Sequence, residues 1–337
     1  MGSQNIIAEA IDLDIGYHSR GKVNSVMKHI SLRAGAGELV ALIGRNGTGK
    51  STLLRTMTSL QPALGGIIKI KGEDLRNISN SSLPKTISFT STEPVTVRNI
   101  RVRDAVALGR FPYTNWIGTL TPEDEDIVSE AMEVTGITPL AGRRIDSISD
   151  GERQRTLIAR SLAQDTSLLV MDEPTAFLDL PSRYSIVSLL RRLTREKGKS
   201  VVYSTHDLDT AINEADRIWL MTGDGIADGA PEDLILTGTI EKAFESPMLA
   251  FSSTDGTFSF VRERRTAIAL EGEGIGARLT EKALNRCGYS IDQNALLRVR
   301  MIESEGERAW LLVRGPYDER FASLHDLLHR LSEEHHQ

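Results

Sequence analysis

The chain is 337 residues long, with 40% apolar residues, 26% charged residues and a formal net charge of −6. That is too long for one compact domain to be the default, so two domains are expected, and the acidic balance argues against broad nonspecific binding to nucleic acid. Cys287 is the single cysteine, which excludes an internal disulfide and fits a reducing cytosol. The opening segment MGSQNIIAEA has neither a basic start nor a long apolar stretch, so no signal peptide is expected. No apolar run approaches the roughly 18 residues of a membrane helix. Work at a membrane would therefore go through a partner.

In chain order, Ile6 to Tyr17 and Val26 to Arg33 alternate loosely and predict two strands, broken by a polar turn at His18–Asn24. Glu38-Leu-Val-Ala-Leu-Ile43 is nearly all apolar, as expected of a buried parallel strand. A glycine-rich loop follows, then a helix from Lys50. Pro84 to Thr90 predicts another strand, and residues 102–147 read as mostly helical. Thr121-Pro-Glu-Asp is a helix start with a capping Thr, Pro at the first position and acids in the first turn. Ile127, Ala131 and Val134 are expected to share one face of that helix. A further helix runs from near Ser149 to about Gln164, then a buried strand at Leu168–Met171, a helix over Ser185–Thr194 and a strand at Ser200–Ser204. Alternating strands and helices argue for an α/β sheet interrupted by a helical insertion. Composition changes near Thr254–Thr257. Beyond it the pattern restarts in the order strand (Thr266–Glu271), helix (Ala277–Cys287), two strands joined at Ser304–Gly306, and helix (Asp318–Glu333). Leu296–Met301 and Trp310–Val313 supply those two strands, and Leu324, Leu327, Leu328 and Leu331 give the last helix one apolar face.

The loop Gly44, Arg45, Asn46, Gly47, Thr48 and Gly49, followed by Lys50, Ser51 and Thr52, matches a phosphate-binding P-loop in full. Its glycines let backbone N–H groups curl around phosphate oxygens, and the helix from Lys50 turns its positive end toward them. Lys50 is placed to neutralise the β- and γ-phosphates, and Ser51 to supply a ligand for Mg2+. Leu168-Leu-Val-Met171 delivers Asp172 to the metal through its water shell and Glu173 to an attacking water. Together these specify a nucleoside triphosphatase working with Mg2+, but not which one.

Ile148-Ser149-Asp150-Gly151-Glu152-Arg153-Gln154-Arg155 resembles the signature sequence of the ABC ATPase family. That resemblance implies ATP as the nucleotide, and that Ser149 and Gly151 touch the γ-phosphate bound to the opposite subunit of a homodimer. It also places His206 as the γ-phosphate sensor, Asp179 in the loop coupling the two sites, and Tyr17 against adenine; packing alone is the other reading of Tyr17. Two positions depart from the family pattern. Thr92 stands where the family has a glutamine, keeping a shorter hydroxyl for Mg2+, and Asp150 replaces the first glycine of the signature pair. Asp150 is expected to turn away from phosphate and hold the helix cap.

Residues 105–122, with Gly-Arg-Phe-Pro-Tyr at 109–113, resemble the helical subdomain of importers for iron–siderophore, haem or cobalamin. Phe111, Tyr113 and Trp116 read either as a docking patch for a membrane partner or as packing. The resemblance implies an α/β P-loop ATPase domain over residues 1–260, with a helical signature subdomain over about 93–164. A small C-terminal α/β domain, 261–337, is expected to be regulatory or dimer-stabilising. It further implies permease partners, a separate substrate-binding protein and a peripheral place on the cytoplasmic face of the inner membrane. A soluble regulatory ABC ATPase, not coupled to transport, is the alternative. In the last domain, Glu271-Gly-Glu-Gly-Ile-Gly276 before a helix reads as an anion cradle or, more simply, as a turn.

Overall fold

A computed structural model of the chain describes residues 5–19, 22–91, 99–116, 118–253, 256–261, 266–304, 307–314 and 317–335. The chain divides into two units, residues 1–245 with 252–257, and residues 246–251 with 258–337.

The first unit opens with two long antiparallel strands, β1 (Ile6–Ser19) and β2 (Lys22–Gly35), longer at the turn than alternation alone predicts. The P-loop strand β3 (Leu39–Gly44) and helix α1 (Lys50–Met57) come next. Then follow β4 (Gly65–Ile70), β5 (Glu73–Asp74) and β6 (Ile87–Thr90). The predicted strand at Pro84 starts three residues late because Leu83–Lys85 forms a 3-10 turn. The helical insertion holds α2 (Val102–Ala107), a 3-10 segment at Leu108–Tyr113, α3 (Pro122–Thr135) and α4 (Asp150–Ala163). Beyond it lie β7 (Leu168–Met171), α5 (Leu180–Lys197), β8 (Ser200–Ser204), α6 (Leu208–Glu214), β9 (Arg217–Met221) and β10 (Ile226–Gly229). Two short helices, α7 (Pro231–Leu236) and α8 (Thr239–Ala243), follow; the hairpin β11 (Leu249–Ser252) and β12 (Thr257–Phe260) comes next, with most of its residues counted in the second unit.

Strands β2-β1-β4-β5 form an antiparallel sheet, and β10-β9-β3-β8-β7-β6 form the main sheet, parallel except for the edge strand β10. Every residue of β3, β7 and β8 is buried, which explains the apolar runs 39–43, 168–171 and 201–203 within them. Leu13, Ile30 and Leu32 of the antiparallel sheet meet Leu42, Leu53, Val202 and Trp219 in one core. This order sets β3 between β8 and β9, with β7 on the far side of β8. The loops after β3, β8 and β7 therefore open side by side at the carboxyl edge of the sheet, where α/β folds place ligands.

The insertion has its own core of Val102, Val106, Val128, Met132 and Ile145 with Ala159 of α4. Thr121 caps α3 reciprocally with Asp124, and Gly136 ends it at φ 72. The buried face is Val128, Ala131, Met132 and Thr135; Ile127 and Val134 lie half-buried on its flank, so the predicted face is rotated by one position. A buried ion pair accounts for this rotation. Arg110, 5% exposed, donates to Asp124 at 2.8 Å and to the Ala163 carbonyl at 2.9 Å, drawing the first turn of α3 inward.

The second unit contains β13 (Thr266–Glu271), α9 (Gly274–Arg286), β14 (Tyr289–Ile291), β15 (Arg298–Ser304), β16 (Glu307–Arg314), β17 (Tyr317–Phe321) and α10 (Leu324–His335). Its sheet order is β14-β13-β15-β16-β17, parallel around β13 and antiparallel beyond. Two short strands, β14 and β17, are absent from the predicted order, and residues 317–321 are strand where the last helix was expected to begin. Leu296 precedes β15 and is 98% exposed. Leu324, Leu327, Leu328 and Leu331 do join one core with Ile268, Leu284, Val299 and Leu312.

Candidate nucleotide site

The P-loop leaves β3 at Gly44 and enters α1 through Gly49, whose φ of 106° is a conformation side-chain-bearing residues rarely adopt. A Cβ there would also fall 2.4 Å from the Val26 side chain. Thr48 donates its hydroxyl to the Arg45 carbonyl, and Arg45 reaches the Glu245 carbonyl at 2.9 Å. Arg45, Asn46 and Gly47 are exposed, Thr48 and Gly49 half-buried, and a Cβ at Gly47 would meet nothing within 4 Å. The loop thus presents open space at its tip. Lys50 is buried, and its ammonium donates to the carbonyls of Gly44 at 2.9 Å and Arg45 at 3.3 Å. Burial pushes its pKa down, while the Glu173 and Asp172 carboxylates pull the other way. The lysine and the acidic pair therefore share one field. Ser51 is exposed and Thr52 half-buried on the first turn of α1.

Asp172, 4% exposed, follows β7 and accepts a hydrogen bond from the Ser204 hydroxyl at 2.7 Å. Glu173 has φ 47°, sterically disfavoured for any residue but glycine, and its N–H donates to the same Ser204 oxygen at 2.8 Å. His206 Nε2 lies 2.5 Å from Glu173 Oε1. Beside them a cleft of about 440 Å3 is lined by Glu173, Phe177, Arg183, His206 and Asp207 among others. Asp207 caps α6 and pairs with Arg183 at 3.2 Å.

Asp179 caps α5 by accepting from the Ser182 N–H, and hydrogen bonding by the Ser182 hydroxyl, then by its N–H, holds the Asp179 carboxyl below the usual range. Two residues earlier Phe177 is 93% exposed at φ 63°. Ser149 caps α4 reciprocally with Glu152. Asp150 does turn to a partner, pairing with Arg153 at 2.7 Å, but Ser149 and Glu152 hold the cap, not Asp150. At Gly151 a Cβ would meet the Ser182 hydroxyl at 3.1 Å, so that position is tight. Tyr17 is 49% exposed on β1; the start of α1 lies near Ile15 of the same strand. Thr92 lies outside the described residues.

The aromatic cluster divides. Tyr113 is structural: its ring lies 3.9 Å from the Arg110 guanidinium and its hydroxyl donates to the Gln164 carbonyl. Phe111 and Trp116 are 73% and 95% exposed. Sequence reasoning missed Ser204, Arg183 and the left-handed Glu173. A serine ending an apolar strand and a non-glycine at positive φ leave no local signal.

A phosphate loop between a buried strand and a helix, with an acidic pair at the end of β7 one strand further along the same sheet, defines a P-loop nucleoside triphosphatase. Residues 27–176 match the ABC transporter family, and residues 264–332 match the family described as iron ABC transporter C-terminal domain. The achromobactin transport ATP-binding protein of Dickeya dadantii is 35% identical over 234 residues, covering 69% of this chain and 86% of the relative. The ferric enterobactin transport ATP-binding protein of Escherichia coli is 36% identical over 233 residues, 69% and 84% of the two chains. A metal-chelate type ABC transporter solved in an inward-facing conformation is similar at TM-score 0.63 and 25% identity, covering 76% of this chain and 97% of that one. The chain belongs to the ABC transporter ATP-binding family, whose work is transport-coupled ATP hydrolysis. No helix among the described residues is long and apolar enough to cross a membrane.

Proposed function

We propose that this chain is the ATP-hydrolysing subunit of an importer for an iron–siderophore, haem or cobalamin-type metal chelate. In this reading it works as a homodimer on the cytoplasmic face of the membrane, with permease partners and a separate substrate-binding protein. The carrying observation is the meeting of Asp172, Glu173 and His206 at the ends of adjacent strands, in the field that Lys50 feels. The two relatives' transport names and the family matched by residues 264–332 favour the chelate class.

The Lys50 ammonium donates to the loop carbonyls of Gly44 and Arg45, contacts it can exchange for phosphate oxygens of ATP. Asp172 and Ser51 would hold Mg2+, an ion commonly bound by one or two carboxylates plus substrate phosphates rather than by an all-protein cage. Among the described residues no cluster of three His, Cys, Asp or Glu side chains offers such a cage, so the donor set fits that mode. When bound, the ion supplies positive charge to the phosphate oxygens. Glu173 takes a proton from the attacking water, and His206, in contact with its carboxylate, orients it and reads the γ-phosphate. Ser149 and Gly151 act on the partner's nucleotide, helped by the positive end of α4; the Arg153 pair offsets the Asp150 charge there. Asp179 couples the two sites, and Tyr17 supports adenine. The C-terminal domain, 261–337, regulates or stabilises the dimer.

Glu173→Gln tests this reading. ATP binding should persist, turnover should fall by about 10²–10⁴, and an ATP-held dimer should accumulate on sizing. Hydrolysis at the normal rate would remove Glu173 from the role of base.

A further inference from the structure

We infer that Ser204 is a positioning residue for hydrolysis, through one hydroxyl that holds the metal-site carboxylate and the backbone of the catalytic base together. This rests on the roles proposed for Asp172 and Glu173. Ser204 is the last residue of β8 and is fully buried. Its oxygen accepts from the Glu173 N–H at 2.8 Å, and a backbone N–H can only donate. The hydroxyl proton is thereby free for Asp172 Oδ1, 2.7 Å away. The donor and acceptor directions are fixed, so the bridge has one arrangement.

Two consequences follow from the geometry. Asp172 has one carboxylate oxygen tied by a neutral donor, which fixes the plane of the group and the direction of its other oxygen. Groups that orient a metal-binding carboxylate commonly change metal affinity or activity by about 10–100-fold when removed. Glu173 sits at φ 47°, and the bond to its N–H helps to hold a conformation the residue would otherwise leave. Ser204 is also two residues from His206, the group in contact with the Glu173 carboxylate. One hydroxyl on β8 thus registers the end of β7 against the histidine loop. Buried hydroxyls often satisfy themselves on a carbonyl of their own helix, as Thr56 does on the Thr52 carbonyl. Ser204 instead spends both roles on two consecutive residues of a neighbouring strand end.

The test uses the full chain as Ser204→Ala, Ser204→Cys and Ser204→Thr. ATP affinity is measured with Mg2+ and with EDTA, beside kcat and the melting temperature. Ser204→Ala should lower kcat by about 10–100-fold and cut the Mg2+-dependent gain in ATP affinity about tenfold, with affinity in EDTA unchanged. Ser204→Cys keeps a γ-atom, though a larger one, and is a weak donor and acceptor. It should show the same losses without leaving a cavity, so that losses shared with Ser204→Ala report positioning rather than packing. Ser204→Thr keeps the hydroxyl and should recover most of both. The inference is overturned if Ser204→Ala or Ser204→Cys binds ATP in EDTA like the parent and retains its kcat and its Mg2+-dependent gain. It is equally overturned if Ser204→Thr binds in EDTA yet recovers neither. Glu173→Gln run alongside separates the two readings. Normal hydrolysis by that variant sinks the assignment of the base, whereas a stalled Glu173→Gln with normal Ser204 variants sinks only the bridge.

Discussion

Two strand-to-helix junctions in this chain carry three glycines each. At the first, Gly44, Gly47 and Gly49 lead from β3 into α1. At the second, Gly272, Gly274 and Gly276 lead from β13 into α9. In the first, a buried lysine begins the helix, its ammonium rests on loop carbonyls, and the loop tip faces open space. In the second, Gly274 meets the same open space, but a Cβ at Gly276 would fall 2.5 Å from the Met301 sulfur, and no lysine begins the helix; Glu271 is held by Arg298 and Arg300, both at 2.6 Å. Those arginines keep the Glu271 carboxyl below its usual range, so the junction carries an anion of its own. Glycine spacing only permits a close backbone approach. A buried cation at the start of the helix, in place of a carboxylate, turns that permission into an anion site.

The sharpest way to break this comparison is Lys50→Ala. It leaves all three glycines in place and removes the cation. Hydrolysis should fall by about 10³-fold or more, the scale of deleting a group that stabilises charge in the transition state. ATP affinity should weaken with it in a nucleotide titration. Retained turnover would mean that the glycine loop alone makes the site.

Arg110→Ala probes what holds the first unit together away from either junction. It strands Asp124, 4% exposed, without its ion-pair partner. Breaking such a pair should cost about 3–4 kcal/mol, read as a lower melting temperature. The sign with pH is testable too. The Thr121 N–H, then the Thr121 hydroxyl and Arg110, hold the Asp124 carboxyl down against burial. The stability it contributes is present above the unfolded-state pKa and lost as pH falls through the lower folded value. The variant should therefore lose less stability than the parent on acidification below about pH 4. An identical acid profile for the two would remove the pair from the account.

Gly276→Ala is the counterpart of Lys50→Ala at the second junction. The Met301 thioether it meets is the flexible end of a side chain that can move aside, and Ala is about 1 kcal/mol better than Gly inside a helix such as α9. The melting transition of the C-terminal unit should therefore shift by no more than that, with ATP affinity unchanged. A change in ATP affinity would overturn the division drawn between the two junctions. The mildest effect is expected from ending the chain at Val261. ATP binding and basal hydrolysis should stay within about threefold, a shift under 1 kcal/mol, while dimerisation weakens or the response to a partner changes. Loss of ATP binding in a folded truncated protein would place the tail in the site.

Much of this arrangement is written in short stretches of sequence, because the chemistry that encodes it is local. Thr121 with Asp124, and Ser149 with Glu152, cap their helices across three residues. The P-loop and the pair Asp172-Glu173 are likewise runs of neighbours. The apolar runs of β3, β7 and the middle of β8 announce burial on both faces. Short strands read poorly: β14 has three residues and gains its place only by pairing with β13. The face of α3 was misplaced because Arg110, 14 residues before Asp124, decides which side turns inward.

The amino-acid order by itself determined that this chain has a P-loop, an acidic strand end and a capped signature helix, since each depends on contacts within a few residues. Only the tertiary structure decided that β8 lies between β3 and β7. It also decided that Ser204 touches Asp172 and Glu173, 32 and 31 residues earlier, and that Met301 lies against Gly272 and Gly276 at the second glycine junction. Those outcomes depend on which strands become neighbours. That choice is made by burying the whole core at once, a long-range balance that no short stretch of residues carries.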